Sequence, residues 1–139
     1  MLVALSPKSV YNPPAMEFQD KLQPAASPAP RVMVIIPTYN EAENIQALVA
    51  ELLSLEVNNL SVLIVDDDSP DGTGEIAERL RAQHPERIQV LHRTGKRGLG
   101  RAYIAGFRHA FAAGVDYIIQ MDADFSHSCL LYTSPSPRD

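Results

Sequence analysis

RVMVIIPTYN, residues 31–40, is the stretch from which the fold can be read. Val32 to Ile36 is an unbroken apolar run, and a strand buried on both faces reads this way, whereas a half-exposed strand alternates. At Pro37 the run turns polar. Asn40 with Glu43 three residues on has the form of a capping box, which predicts a helix carrying Ile45, Leu48, Val49, Leu52 and Leu53 on one stripe. The pattern then repeats. Ser61 to Val65 forms a second run that ends in Asp66-Asp67-Asp68, and after Pro70-Asp71-Gly72-Thr73 a helix with Ile76, Ala77 and Leu80 stops before Pro85. Ile88 to Leu91 is a shorter strand. Gly98 to Ala113 reads as a helix whose small residues Ala102, Gly106 and Ala110, four apart, let one face approach a sheet closely. Tyr117 to Met121 is a fourth strand. Strand and helix alternate three times before that last strand, so the expected class is α/β, a mainly parallel sheet with helices on both faces.

Upstream, residues 1–30 hold Pro7, Pro13, Pro14, Pro24, Pro28 and Pro30, which break any periodic element, so a disordered Pro-rich extension is expected there. The chain has 139 residues, 45% of them apolar, enough for one core. A net charge of −5 argues against a nucleic-acid partner. One cysteine, Cys129, excludes a disulfide framework within the chain and fits a reducing compartment. No run of about 18 apolar residues is present and no secretory signal opens the chain.

In parallel sheets ligands bind beyond the carboxyl ends of the strands. Four polar clusters fall there: Thr38 to Glu41, Asp66 to Ser69, Arg93 to Arg97, and Asp122-Ala123-Asp124. Asp122 and Asp124, two apart at a strand end, can aim carboxylates at one region, and such oxygen ligands suit Mg²⁺ or Mn²⁺ shared with a substrate phosphate. Taken alone the spacing fits a helix cap or a solvated turn, and the neighbouring clusters favour the metal. Gly98 and Gly100 open a helix whose free N–H groups and dipole can face an anion, with Lys96 and Arg97 adding charge. The same loop reads equally as a flexible glycine hinge with two solvated cations. One of Asp66, Asp67 and Asp68 can accept from a base or ribose while another caps the turn. Asp71 and Thr73 supply turn chemistry. Tyr39 and Glu41 can bracket a base or ribose, or simply stand at a helix start. His84, His92 and His109 show no ligand spacing, while His127 follows the acidic pair closely enough to line a site. The first strand lacks a following Gly-x-Gly-x-x-Gly, which weighs against a dinucleotide oxidoreductase.

Together, VMVIIPTYNEAENI, VLIVDDDSPDGT, GKRGLGRAYIAGF and YIIQMDADFSH, in that order, resemble the inverting family 2 nucleotide-sugar glycosyltransferases. Among them the likeness is to dolichol-phosphate mannose synthases and their bacterial polyprenol-phosphate counterparts. It covers residues 31–127, the amino-terminal part of such a domain. The resemblance implies a GT-A (Rossmann-like) nucleotide-sugar-binding half. It implies that Pro37, Tyr39 and Glu41 hold the nucleotide, that Asp66 or Asp67 meets the base, and that Lys96 and Gly98 lie by the nucleotide or diphosphate. It also implies that Asp122, Asp124 and Ser126 hold the Mg²⁺ or Mn²⁺ ion. The implied reaction passes mannose from GDP-mannose, with inversion, to a polyprenyl phosphate acceptor at the membrane surface, by an enzyme peripheral to the cytoplasmic face. The alternatives are another polyprenyl-phosphate hexosyltransferase using a UDP-sugar, or a non-catalytic nucleotide-binding fragment.

After Asp122 to His127 the family continues with a Pro-containing turn, and this sequence departs at Ser128. Residues 129–139 resemble a translated transposase-type sequencing adapter, so 128–139 is expected to be a non-native tail on a truncated gene model. On that expectation the 139-residue chain has little transferase activity, and its last strand is left as an exposed edge.

Overall fold

The computed structural model describes residues 3–5 and 29–124. In chain order the elements are β1 (Val3–Leu5), β2 (Val32–Thr38), α1 (Ile45–Leu53), β3 (Leu60–Asp66), α2 (Thr73–Gln83), β4 (Ile88–His92), α3 (Leu99–Ala113) and β5 (Tyr117–Gln120). The strands lie in the order β1-β5-β2-β3-β4. β5, β2, β3 and β4 run parallel, with Val34 facing Val62 on one side and Ile119 on the other. The chain steps outward from β2 to β3 and β4, and α3 then brings it back across the sheet to lay β5 on the far side of β2. The direction of winding reverses between β2 and β5, the place where open α/β sheets bind ligands.

The unbroken apolar run of β2 follows from this position. Its successive side chains point to opposite faces, and both faces are covered. Val34 and Ile36, with Val62 and Ile64 of β3, pack against Ile45, Leu48, Val49 and Leu52 of α1 and Ala77 and Leu80 of α2. Met33 and Ile35, with Leu63 and Val65, pack against Ala102 and Ala110 of α3. The sheet is thus sandwiched between two helices and one.

Pro37 sits in a central strand, where a missing N–H ordinarily costs a ladder bond. Here the parity of the ladder removes the cost. The carbonyl of Ile35 accepts from Met121 N–H on the β5 side, and that of Thr38 accepts from Asp67 N–H on the β3 side. Pro37 shares the parity of Ile35, and pairing with β5 has already ended at Ile35–Gln120. The absent donor therefore falls where β2 and the chain leaving β5 separate.

Three expectations are corrected. Val3–Leu5, inside the stretch assigned to a disordered extension, form a strand that pairs antiparallel with β5, Ala4 opposite Ile119. As a result β5 is an interior strand and its edge is covered. The first helix begins at Ile45, without a side-chain cap, and not at Asn40. Asn40 adopts a left-handed conformation, φ 58°, because its N–H is drawn to Ser69 of the neighbouring loop. The rest of the proposed extension up to residue 28, and the tail 128–139, lie outside the described residues.

Candidate active site

The loop after β2 is held by the loop after β3. Three consecutive backbone N–H groups, of Asn40, Glu41 and Ala42, donate to Ser69 Oγ at 3.0 Å, Thr73 Oγ1 at 3.0 Å and Asp71 Oδ2 at 3.1 Å. Amides that would otherwise lack a partner are satisfied by side chains from a distant part of the sequence. Thr73, fully buried, donates to Asp71 in turn, and hydrogen bonding to Thr73 is the main cause holding the Asp71 carboxyl below its ordinary value. Asp71 and Thr73 are therefore scaffold, and what they support is the placing of Tyr39 and Glu41. Glu41 is further fixed by Asn44 Nδ2, which donates to its Oε2 at 3.1 Å.

Asp66 and Asp67 take different roles, as adjacent residues leaving a strand must. The Asp66 carboxylate is buried and accepts from Thr38 Oγ1 (2.9 Å), Ser69 Oγ (2.7 Å) and Ser69 N–H (3.2 Å), which closes the turn. Asp67 points the other way. It pairs with Arg93, and its Oδ2 accepts from the N–H of Gly98 at 2.9 Å. Arg93 also donates to the carbonyl of Lys96 at 3.3 Å. Asp67 thus ties the 93–98 loop, and with it the start of α3, to the end of β3. Gly98 is left-handed at φ 154°, a conformation that favours glycine.

Beyond β5, Tyr103 of α3 donates its hydroxyl to Asp122 Oδ1 at 3.0 Å and lies near Phe107, their ring centroids 6.3 Å apart. Burial, then the bond to Asp122, pushes the tyrosine pKa well up, so the hydroxyl keeps its proton as a donor. Across the opening the Arg97 guanidinium lies 4.2 Å from the centre of the Tyr39 ring, a cation–π contact.

These groups enclose a cleft of about 480 Å³ at the carboxyl edge, lined by residues from the segments that follow β2, β3, β4 and β5 and from the start of α3. Of the residues the sequence selects, Pro37, Tyr39, Glu41, Asp67, Gly98, Asp122 and Asp124 line it. Asp66 does not, and the cation that lines it is Arg97, with Lys96 on the same loop outside the lining. Ser126 and His127 lie outside the described residues. Sequence reading missed Tyr103, and it left Arg97 as loop charge. The signal for Arg97 was available, since it directly precedes the Gly98 that starts α3. A larger hollow, about 1000 Å³, lies at the opposite edge of the sheet around Arg31, Asn59 and Arg87, away from these groups. The cleft can receive an anion beside Arg97 and a hard cation beside Asp122 and Asp124. Among the described residues no three His, Cys, Asp or Glu side chains gather closely enough to hold a metal by themselves. Two carboxylates in an open cleft fit a cation whose remaining ligands come from a phosphate substrate, the usual habit of Mg²⁺.

The family model described as glycosyl transferase family 2 matches residues 33–129. Over 101 residues, 73% of this chain, the sequence is 46% identical to the polyprenol monophosphomannose synthase of Mycolicibacterium smegmatis, of which it covers 38%. It is 52% identical over 97 residues, 70% of the chain, to the undecaprenyl-phosphate mannosyltransferase of Micrococcus luteus, covering 39% of it. It is 43% identical over 98 residues, again 70% of the chain, to the dolichol-phosphate mannosyltransferase of Pyrococcus furiosus, covering 26%. The chain therefore spans well under half the length of these relatives. Among solved structures, the mannosyltransferase PcManGT from Pyrobaculum calidifontis in complex with GDP-Man and Mn²⁺ superposes with a TM-score of 0.60 at 27% identity. That match covers 80% of this chain and 35% of the other. S. aureus TarS 1-349 in complex with UDP-GlcNAc gives 0.58 at 27% identity, over 68% of this chain and 26% of the other.

Proposed function

The chain belongs to glycosyl transferase family 2 and carries half of a GT-A fold, and on that premise we propose that its cleft holds GDP-mannose as donor for inverting mannosyl transfer to a polyprenyl phosphate. The observation that carries this is the pairing, in one cleft at the winding reversal of the sheet, of Asp122 and Asp124 with Arg97 and Gly98. The relatives' names supply the sugar and the lipid class.

In this reading Asp122 and Asp124 hold a magnesium or manganese ion, with Ser126 as the family's third position. Such a cation, when bound, would neutralise the charge gathering on the departing diphosphate. Arg97 and the N–H groups at the start of α3 face the same diphosphate, with Lys96 as a second charge nearby. Tyr39 offers its ring to the base, and Glu41 and Asp67 offer carboxylate oxygens to base or ribose donors. Tyr103 keeps Asp122 turned into the cleft. An oxygen of the lipid phosphate, ionised at neutral pH, forms the new bond to the sugar carbon as the bond to GDP breaks on the opposite face. No side chain has to remove a proton. The acceptor is met at the cytoplasmic face of the membrane. No helix among the described residues is long and apolar enough to cross it.

A UDP-sugar donor is the second reading, favoured by the likeness to TarS bound to UDP-GlcNAc. Displacement of a fluorescent nucleotide by GDP and by UDP, with Mn²⁺ present, separates the two. GDP is expected to compete at least tenfold better. Equal competition, or a preference for UDP, overturns the mannosyl reading, and transfer of labelled mannose from GDP-mannose to polyprenyl phosphate by an enzyme of the relatives' full length that carries this segment checks the acceptor.

A further inference from the structure

The charge of this chain is segregated. The net charge is −5, yet no Asp or Glu occurs between Glu86 and Asp116. That interval holds Arg87, Arg93, Lys96, Arg97, Arg101 and Arg108, half of the 12 Lys and Arg residues. α3 lies wholly within it. The buried face of α3 is Ala102, Gly106 and Ala110. On the opposite face Arg101, Ile104, Arg108 and Phe111 follow one another at helical spacing, a stripe about 15 Å long. All four are exposed, Ile104 at 51% and Phe111 at 53%. Single apolar side chains at a surface need no explanation. Here two large ones alternate with two arginines along a helix that has no acid.

We propose that this outward face of α3 docks the protein on an anionic lipid surface. A helix whose exposed face mixes arginine with Ile and Phe is suited to the interface, where guanidinium groups meet headgroup phosphates and the apolar side chains enter the acyl boundary. The long arginine stems lie along that boundary while their charges stay among the headgroups. A nucleic-acid backbone would use the arginines alone and leave Ile104 and Phe111 without a partner. The docking also has a geometric consequence, which rests on the mannosyl-transfer reading. Gly98 and Leu99, at the start of the same helix, line the cleft. A membrane lying along the stripe would then present headgroups beside the cleft, where a lipid phosphate must arrive.

The test is co-sedimentation of the full chain with phosphatidylcholine vesicles, with and without phosphatidylglycerol, and with no polyprenyl phosphate in either. The wild-type chain is expected to partition onto the anionic vesicles and to release them as salt rises. Arg101→Glu with Arg108→Glu should lower that partition by about tenfold or more, since each basic residue near an anionic surface contributes about a fivefold factor. Ile104→Ser with Phe111→Ser should lower it too. Arg79→Glu, a single charge reversal on α2 across the sheet, should lower the partition by less than about twofold, well short of the factor of about five that one basic residue at the docking face contributes. Circular dichroism and nucleotide binding of all three variants should match the wild type. Absence of wild-type binding to anionic vesicles overturns the proposal, and so does a loss with Arg79→Glu as large as with the α3 pair. The same holds if the α3 substitutions abolish duplex DNA binding or a lipid-free dimer while leaving vesicle partition unchanged. Because the vesicles lack acceptor, such a failure leaves the GDP and UDP competition standing as a separate test of the function.

Discussion

Tyr103 reaches Asp122 across the gap between a helix and a strand, 19 residues apart in sequence. A hydrogen bond to a charged acceptor is worth about 1.5–3 kcal/mol, and the phenol ring beside it is held by burial. Tyr103→Phe keeps the ring and removes the donor, so the fold should survive while Asp122 loses its orientation. We expect the apparent affinity for Mn²⁺ in the presence of GDP to fall about tenfold, as titration calorimetry would show. Unchanged metal affinity would mean that the bond does not orient the ligand. This partner was not legible in the sequence because nothing local marks it: tyrosines at partly buried helix positions usually serve packing. The division of labour between Asp66 and Asp67 was half legible. Strand alternation dictates that the two carboxylates point apart, but which of them faces the cleft depends on where Thr38, Ser69 and Arg93 arrive in space.

At the level of elements, the close seating of α3 depends on Gly106. A methyl group placed there would come within 2.7 Å of Ile35 Cγ2, and Ile35 is fully buried in a stiff, β-branched rotamer. Alanine normally favours a helix by about 1 kcal/mol over glycine. In this position the overlap outweighs that gain, and Gly106→Ala should destabilise the protein by about 1–3 kcal/mol in urea denaturation. The α2–β4 contact is pH-sensitive in a definite direction. Hydrogen bonding from His92 first, and from Arg81 second, holds the Glu78 carboxyl below its ordinary 4.5. The folded value lies under the unfolded one, so the stabilisation is present above 4.5 and is lost as pH falls through the folded value. Glu78→Gln should therefore flatten the acid side of the stability profile below 4.5 and leave the neutral side parallel to wild type, as denaturation midpoints measured across that range would record. The order of helices and strands was legible because apolar runs and stripes carry it. The start of α1 was not, since the amides of residues 40–42 bond to Ser69, Thr73 and Asp71, which no local pattern announces. Nor was β1, where three residues are too few to show a period.

Across the whole molecule, the reversal between β2 and β5 is what brings the β2 loop, Asp67, the start of α3 and Asp122 to one edge. Sequence order alone predicts that edge, because parallel strands expose their carboxyl ends together. It does not predict that Arg97 faces the cleft while Lys96 stands outside, a matter of how Asp67 and Arg93 fold the loop. The central claim is that the acidic pair at the end of β5 holds a divalent cation through which a nucleotide diphosphate is bound. The most direct measurement is GDP binding by calorimetry, with Mn²⁺ and with EDTA, for the wild type and for Asp122→Asn with Asp124→Asn. Wild-type binding should weaken at least tenfold in EDTA, and the double variant should bind as weakly with Mn²⁺ as the wild type does without it. A double variant that binds GDP as tightly as the wild type, or a wild type indifferent to EDTA, would contradict it.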